Sequence, residues 1–150
     1  MSVDTNLIKS PYKREKFTAQ QVEEIVKCTQ DPQYFIENFV WIQHPVKGRM
    51  KFDLFDFQKG LLDAYHGHRY SIALISRQMG KSTAAAAYLL WYAMYVPDQT
   101  ILIAAHKYSG AQEIMQRIRF AYELLPDHVR AGVTAYNKGS LEFEIGRAHV

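Results

Sequence analysis

The chain has a single cysteine, Cys28, so it cannot form an intrachain disulfide. That usage is expected of a reducing compartment. Prolines number only five and glycines eight in 150 residues. There is no repeat and no low-complexity segment, which excludes fibrous and linker-like chains. No long apolar run is present either. The longest apolar-rich stretch, residues 84–96, is too short to span a bilayer and includes Tyr88, Tyr92 and Tyr95. The first eleven residues are polar and lack the apolar core of a signal peptide. An excess of one charge is also missing: 18 Lys and Arg against 15 Asp and Glu leave a net charge of +3. That balance is compatible with a nucleic-acid partner but does not by itself point to one. What remains is 48% apolar and 22% charged. This is the profile expected of a soluble intracellular protein with one domain's worth of core.

Residues 1–17 are expected to form a flexible lead. A helical subregion follows over residues 18–66. Thr18 caps its first helix with Gln21 at the capping-box position, and Val22, Ile25 and Val26 form its apolar stripe. Asp31-Pro32 opens a second helix with Phe35, Ile36, Phe39 and Val40 at helical spacing. Residues 44–48 read as a loop. The aromatic stretch 52–57 leads into a third helix that ends near His66-Gly67.

Beyond residue 67 the pattern alternates. Residues 70–75 are a short, mostly apolar run, as expected of a strand buried on both faces. A helix is expected over about residues 81–95, a second buried strand over 100–105, and a helix over about 109–125. That last helix carries Ile114, Met115, Ile118, Tyr122 and Leu125 on one face. Residues 132–136 and 140–143 read as short strands around an Asn137-Lys138-Gly139 turn. Strand–helix alternation of this kind predicts an α/β fold with a parallel sheet flanked by helices.

Between the first apolar run and its helix lies Ser76-Arg77-Gln78-Met79-Gly80-Lys81-Ser82-Thr83. A strand running through a tight loop into a helix N-terminus makes an anion site, because free N–H groups converge there and the helix dipole favours negative charge. Gly80 admits close approach of phosphates, Lys81 reaches the β and γ oxygens, and Ser82 offers a hydroxyl to Mg²⁺. The strict motif has a glycine five residues before Gly80, where this chain has Ile75. The flanking strand and helix still favour a phosphate-binding loop for ATP over a chance Gly-Lys-Ser at a helix start. Arg77, inside the loop, is either a solvated side chain or a cis arginine finger acting on the γ-phosphate. Spacing leaves both readings open.

At this loop the chain resembles the large terminase subunit of tailed bacteriophages, whose deviant Walker A also lacks the first glycine. Phe55-Asp56-Phe57-Gln58 resembles that family's adenine-recognition element. Ala104-Ala105-His106-Lys107 is similar to its next helicase-like motif. Glu123-Leu124-Leu125-Pro126-Asp127 and Asn137-Lys138-Gly139-Ser140 resemble the stretch that follows, with T-even-type phages nearest. The resemblance covers roughly residues 30–144. It implies a P-loop NTPase fold of the RecA/helicase-like kind, with residues 67–144 as the N-terminal part of the ATPase domain. It implies a motor that couples ATP hydrolysis to translocation of double-stranded DNA into a prohead. The portal protein and small terminase subunit are its implied partners, with a pentameric ring on the portal, no membrane partner and the host cytoplasm as its location. Residue by residue, the resemblance assigns Lys81 to the phosphates, Ser82 to Mg²⁺, Arg77 to the finger, and Phe57 and Gln58 to the adenine. The rest of the loop, Ser76, Gln78, Met79, Gly80 and Thr83, lines the nucleotide. A glutamine amide suits the adenine N6/N7 edge, although an ordinary polar residue at a helix start reads the same way. Lys107 is a nucleotide sensor, a DNA contact or a solvated residue.

No apolar run ending in Asp-Glu follows the loop within these residues. The acidic Walker B pair, the coupling motif and the nuclease domain are therefore expected downstream, and the ATPase domain reads as truncated and inactive alone. Residues 145–150, Ile-Gly-Arg-Ala-His-Val, depart from the family pattern. They read as a translated sequencing adapter, an expected non-native tail. A helicase-like P-loop DNA translocase shares the same opening motifs and is the alternative; a nucleotide-binding fragment without catalysis is the third reading. Four features read as structural. His66-Gly67-His68 has no partner at metal-ligand spacing. Tyr88, Trp91, Tyr92 and Tyr95 fall at core spacing. Lys13, Arg14 and Lys16 suit a solvated terminus, and Cys28 reads as inert.

Overall fold

A computed structural model describes residues 7–77 and 80–144. Gln78 and Met79 of the loop, and the segment 145–150, lie outside the described residues. The chain runs α1 (Ala19–Gln30), α2 (Pro32–Phe39), β1 (Trp41–His44), β2 (Gly48–Lys51), α3 (Asp56–Gly67), α4 (Lys81–Tyr95), α5 (Tyr108–Glu123), β3 (Val133–Tyr136) and β4 (Leu141–Phe143).

Local chemistry sets the helix starts. Thr18 Oγ1 accepts the Gln21 N–H at 3.2 Å, and Gln21 Oε1 accepts the Thr18 N–H at 3.0 Å, closing the reciprocal capping box. Asp31 Oδ1 accepts the Gln33 N–H at 2.9 Å, with Pro32 in the first turn of α2. The buried side of α1 differs from the expected stripe. Cys28 is fully buried and Ile25 half-buried, whereas Val22 and Val26 are exposed. The reason is what α1 meets: Trp91 of α4 donates its Nε1–H to the Cys28 carbonyl at 2.7 Å, which turns the Cys28 face inward.

α4 is the centre of the core. Ala84, Ala87, Leu90, Trp91, Met94 and Tyr95 are all buried. Small residues along one side let α5 pack close, and the large rings on the other side fill space against α2 and α3. Phe35 meets Tyr95 edge-to-face at 5.6 Å. Buried ring polar groups find partners: Tyr95 OH donates to the Val129 carbonyl at 2.6 Å, and Tyr122 OH to the Ala131 carbonyl at 2.6 Å. The residues before α1 are tied to this core. Lys9 is buried, pairs with Glu15 at 3.2 Å and donates from Nζ to the Asp127 carbonyl at 2.9 Å. Its backbone carbonyl accepts the Val133 N–H at 2.9 Å. Part of the lead expected to be flexible is thus fastened alongside β3.

The strands depart most from expectation. Among the described residues the sheets are two antiparallel hairpins, β1–β2 and β3–β4. The β3–β4 hairpin is the pair expected around Asn137. Its turn is held by Asn137 Oδ1, which accepts the N–H groups of Gly139 at 2.9 Å and Ser140 at 2.7 Å. The β1–β2 hairpin turns at the loop expected over residues 44–48, and its two strands, on either side of that turn, are not among the expected elements. Its three-residue connection ends at Gly48 with φ +70, and His44 Nδ1 accepts the N–H groups of Val46 and Lys47, both at 3.1 Å. The two apolar runs expected as parallel strands, 70–75 and 100–105, enter no hydrogen-bonded ladder among the described residues. Ile72 is 100% and Leu74 101% exposed, with Leu102 at 89%. A strand cannot satisfy its own backbone groups, so without neighbours on its edges an apolar run stays extended and solvated. The fold is α/β in composition, five helices with two small antiparallel sheets, and carries no parallel sheet among its described residues.

Candidate functional site

Residues 70–75 lead directly into the loop, and α4 begins at Lys81, as the motif requires. Gly80 is the helix N-cap with φ +72 and ψ 17, the left-handed region that a side chain disfavours. A side chain there would also make the Gln58 amide shift. A Cβ on Gly80 would stand 2.7 Å from Gln58 Nε2. The Gly80 carbonyl accepts the first intrahelical bond of α4, from the Ala84 N–H at 3.0 Å. The N–H groups ahead of Ala84 in the first turn are therefore free of intrahelical acceptors and turned outward. Lys81 folds back across the loop and donates from Nζ to the Ile75 carbonyl at 3.2 Å. That contact draws the two ends of the loop together around the helix N-terminus. Arg77 and Ser76 are exposed on the loop; Ser82 and Thr83 are half-buried in the first turn.

Gln58 meets the loop from α3. It is 2% exposed. Its Oε1 accepts the Phe55 N–H at 2.9 Å, and its Nε2 points at the Gly80 carbonyl at 3.5 Å. The side chain therefore ties the start of α3 to the N-cap of α4. Phe55 and Phe57 stack beside it with ring centroids 6.0 Å apart and planes 9° from parallel, and both rings are exposed. These groups open into a cleft of about 1530 Å³ between the β1–β2 hairpin and α4–α5, lined by Phe57, Gln58, Gly80, Thr83, Glu113 and Arg117 among others. The structure thus brings Phe57, Gln58, Gly80 and Thr83 to one cavity and holds Lys81 at its loop.

One functional candidate escaped the sequence. Arg117 of α5 donates from Nη1 to Thr83 Oγ1 at 2.6 Å, which puts a guanidinium at the first turn of α4. No local motif marks it, because the contact joins positions 34 residues apart across a helix–helix packing.

Of the features read as structural, Cys28, Tyr88, Trp91 and Tyr95 are buried. His66 Nδ1 lies 3.3 Å from Tyr88 OH, and the His66 ring packs edge-on against Trp91. Burial pushes the Tyr88 hydroxyl up from its ordinary value. Among the described residues no group of three or more His, Cys, Asp or Glu side chains is arranged to hold a metal ion. No described helix is long and apolar enough to cross a membrane. Lys107 is the N-cap of α5 and is exposed.

Residues 72–150 match the family model of the terminase large subunit, T4likevirus-type, N-terminal. The matched stretch is just over half of the chain and contains the whole loop from Ser76 to Thr83, while Phe57 and Gln58 lie upstream of it. An apolar run, a loop drawn together by Lys81 on the Ile75 carbonyl beside a left-handed Gly80, and a family match over the same residues agree: the chain belongs to the T4-like terminase large subunit family, as its N-terminal part.

Proposed function

We propose that the loop from Ser76 to Thr83 binds the phosphates of MgATP and that the full-length protein spends this ATP to drive double-stranded DNA into a prohead. The observation that carries the reading is the Gly80–Lys81 geometry: a left-handed glycine at the N-cap of α4, with the Lys81 ammonium curled over the loop onto the Ile75 carbonyl. An incoming phosphate offers that ammonium a stronger, charge-assisted partner than a carbonyl. Ser82, half-buried in the first turn of α4, would offer its hydroxyl to a Mg²⁺ that arrives with the nucleotide. Arg77 acts as the cis finger on the γ-phosphate.

The base takes the exposed face of Phe57, and Gln58 reads its edge by exchanging the Gly80 carbonyl for the adenine. In this reading Gln58 has two tasks, propping the loop when it is empty and sensing the base when it is full. The exposed run 70–75 joins a parallel P-loop sheet in the complete ATPase domain, beside further strands that include the acidic Walker B strand. The portal and small terminase subunits, a pentameric ring and the host cytoplasm belong to the same proposal, as does a nuclease elsewhere in the full-length chain.

Lys81→Ala in the full-length protein should abolish ATP binding, and retained affinity would overturn the loop assignment. Arg77→Ala should leave affinity nearly intact while removing turnover. A full-strength ATPase with that change would refute the finger.

A further inference from the structure

Arg117 sits on α5 with Glu113 one turn before it, the i, i+4 spacing at which a carboxylate and a guanidinium commonly pair. On α1 the same spacing does form an ion pair, Glu23 with Lys27 at 3.0 Å. Arg117 instead reaches across to α4 and donates to the Thr83 hydroxyl at 2.6 Å, and among the described residues no carboxylate lies within ion-pair distance of it. A hydroxyl does not offset its charge. The result is an exposed guanidinium held at the first turn of α4, where outward N–H groups and the helix dipole already favour an anion. The cleft it lines is the one that holds Phe57, Gln58 and Gly80.

We propose that Arg117 is a second cation of the nucleotide site, contacting the phosphate chain of a bound nucleoside di- or triphosphate from α5. This rests on the reading of the loop as an ATP site and adds a residue to it. A planar guanidinium can give two parallel N–H donors to phosphate oxygens, a stronger contact than the one it makes to Thr83. Arg117 shares its cavity with Phe57 and Gln58, so in this proposal it meets the phosphate chain from the side of the base. Its contact therefore does not need the γ-phosphate, and ADP feels it as ATP does. Binding would also fasten α5 to α4 through the nucleotide, so that occupancy of the site is felt on a second helix.

The test is titration of the chain with MgATP and with MgADP, comparing the unaltered protein, Arg117→Ala, Arg117→Gln and Lys81→Ala. Gln retains a donor for Thr83 but not the charge, which separates a loss of packing from a loss of the cation. Expected is a drop in affinity of roughly tenfold to a hundredfold for both nucleotides in both Arg117 variants, with the melting temperature of Arg117→Gln unmoved. If Arg117→Gln binds both nucleotides as tightly as the unaltered protein while Lys81→Ala loses them, the Arg117 proposal is overturned and the loop reading stands. If the unaltered chain binds neither nucleotide, both are overturned together.

Discussion

Two apolar regions of this chain have similar composition and opposite fates. Leu90, Trp91 and Met94 of α4 are buried, while Ile72, Leu74 and Leu102 stand in solvent. The difference lies in how each segment satisfies its backbone. A helix closes its own N–H···O=C bonds, so α4 can bring its side chains to whatever surface α2, α3 and α5 offer. A parallel strand needs a neighbour before its side chains can be buried at all. Apolar content therefore measures demand for burial, and the supply comes from partners. α4 has its partners within the described residues, and the two extended runs do not.

This contrast can be broken by mutation. Trp91→Ala should cost about 3–5 kcal/mol, since it leaves a ring-sized void and removes the hydrogen bond donated to the Cys28 carbonyl. Denaturant unfolding measures it, and a loss below about 1 kcal/mol would mean that α4 is not the centre of the core. Tyr122→Phe should cost about 1–3 kcal/mol, because its hydroxyl donates to the Ala131 carbonyl and accepts the Lys9 N–H at 3.2 Å. That variant should also loosen the lead, seen as faster proteolysis before residue 18.

The third test is alkaline. The Tyr136 hydroxyl, half-buried, is held well above its ordinary range, first by burial and then by the hydrogen bond it donates to the Glu123 carboxylate. A raised folded-state value means that this stabilisation is complete below the unfolded phenol value of about 10 and is lost as pH rises through the folded value. Melting temperature should fall above pH ~10, and Tyr136→Phe should flatten that fall. An unchanged alkaline slope would contradict the assignment. Leu74→Ser should do least, within about 0.5 kcal/mol of the unaltered chain, while reducing self-association in size-exclusion runs. If Leu74→Ser unfolds the chain as Trp91→Ala does, the contrast between the two regions fails.

What could be read in advance follows the same division. The Thr18 capping box, the Asp31-Pro32 start, the span of α4 and the Asn137 turn are local. Each is encoded within a few residues, and each appears where the pattern placed it. The strands of the β1–β2 hairpin are hard to read in advance because its loop, Pro45 to Lys47, has no glycine of its own, with Gly48 opening β2 and the loop N–H groups held by His44, so that no familiar turn dipeptide marks it. The parallel sheet expected from the runs 70–75 and 100–105 is not formed among the described residues, because continuous apolar runs report what a segment needs and not what it has. Within the site, Gly80 and Lys81 were legible from spacing. The Gln58–Gly80 contact and Arg117–Thr83 were not, since they join residues 22 and 34 positions apart through tertiary packing.

The most direct test of the central claim is amide hydrogen exchange across residues 76–83 with and without MgATP. The account predicts slowed exchange at Gly80 to Thr83, with a smaller effect at Phe57 and Gln58, and loss of both in Lys81→Ala. Exchange in that stretch unchanged by saturating MgATP, or protection confined to a different part of the chain, would contradict it.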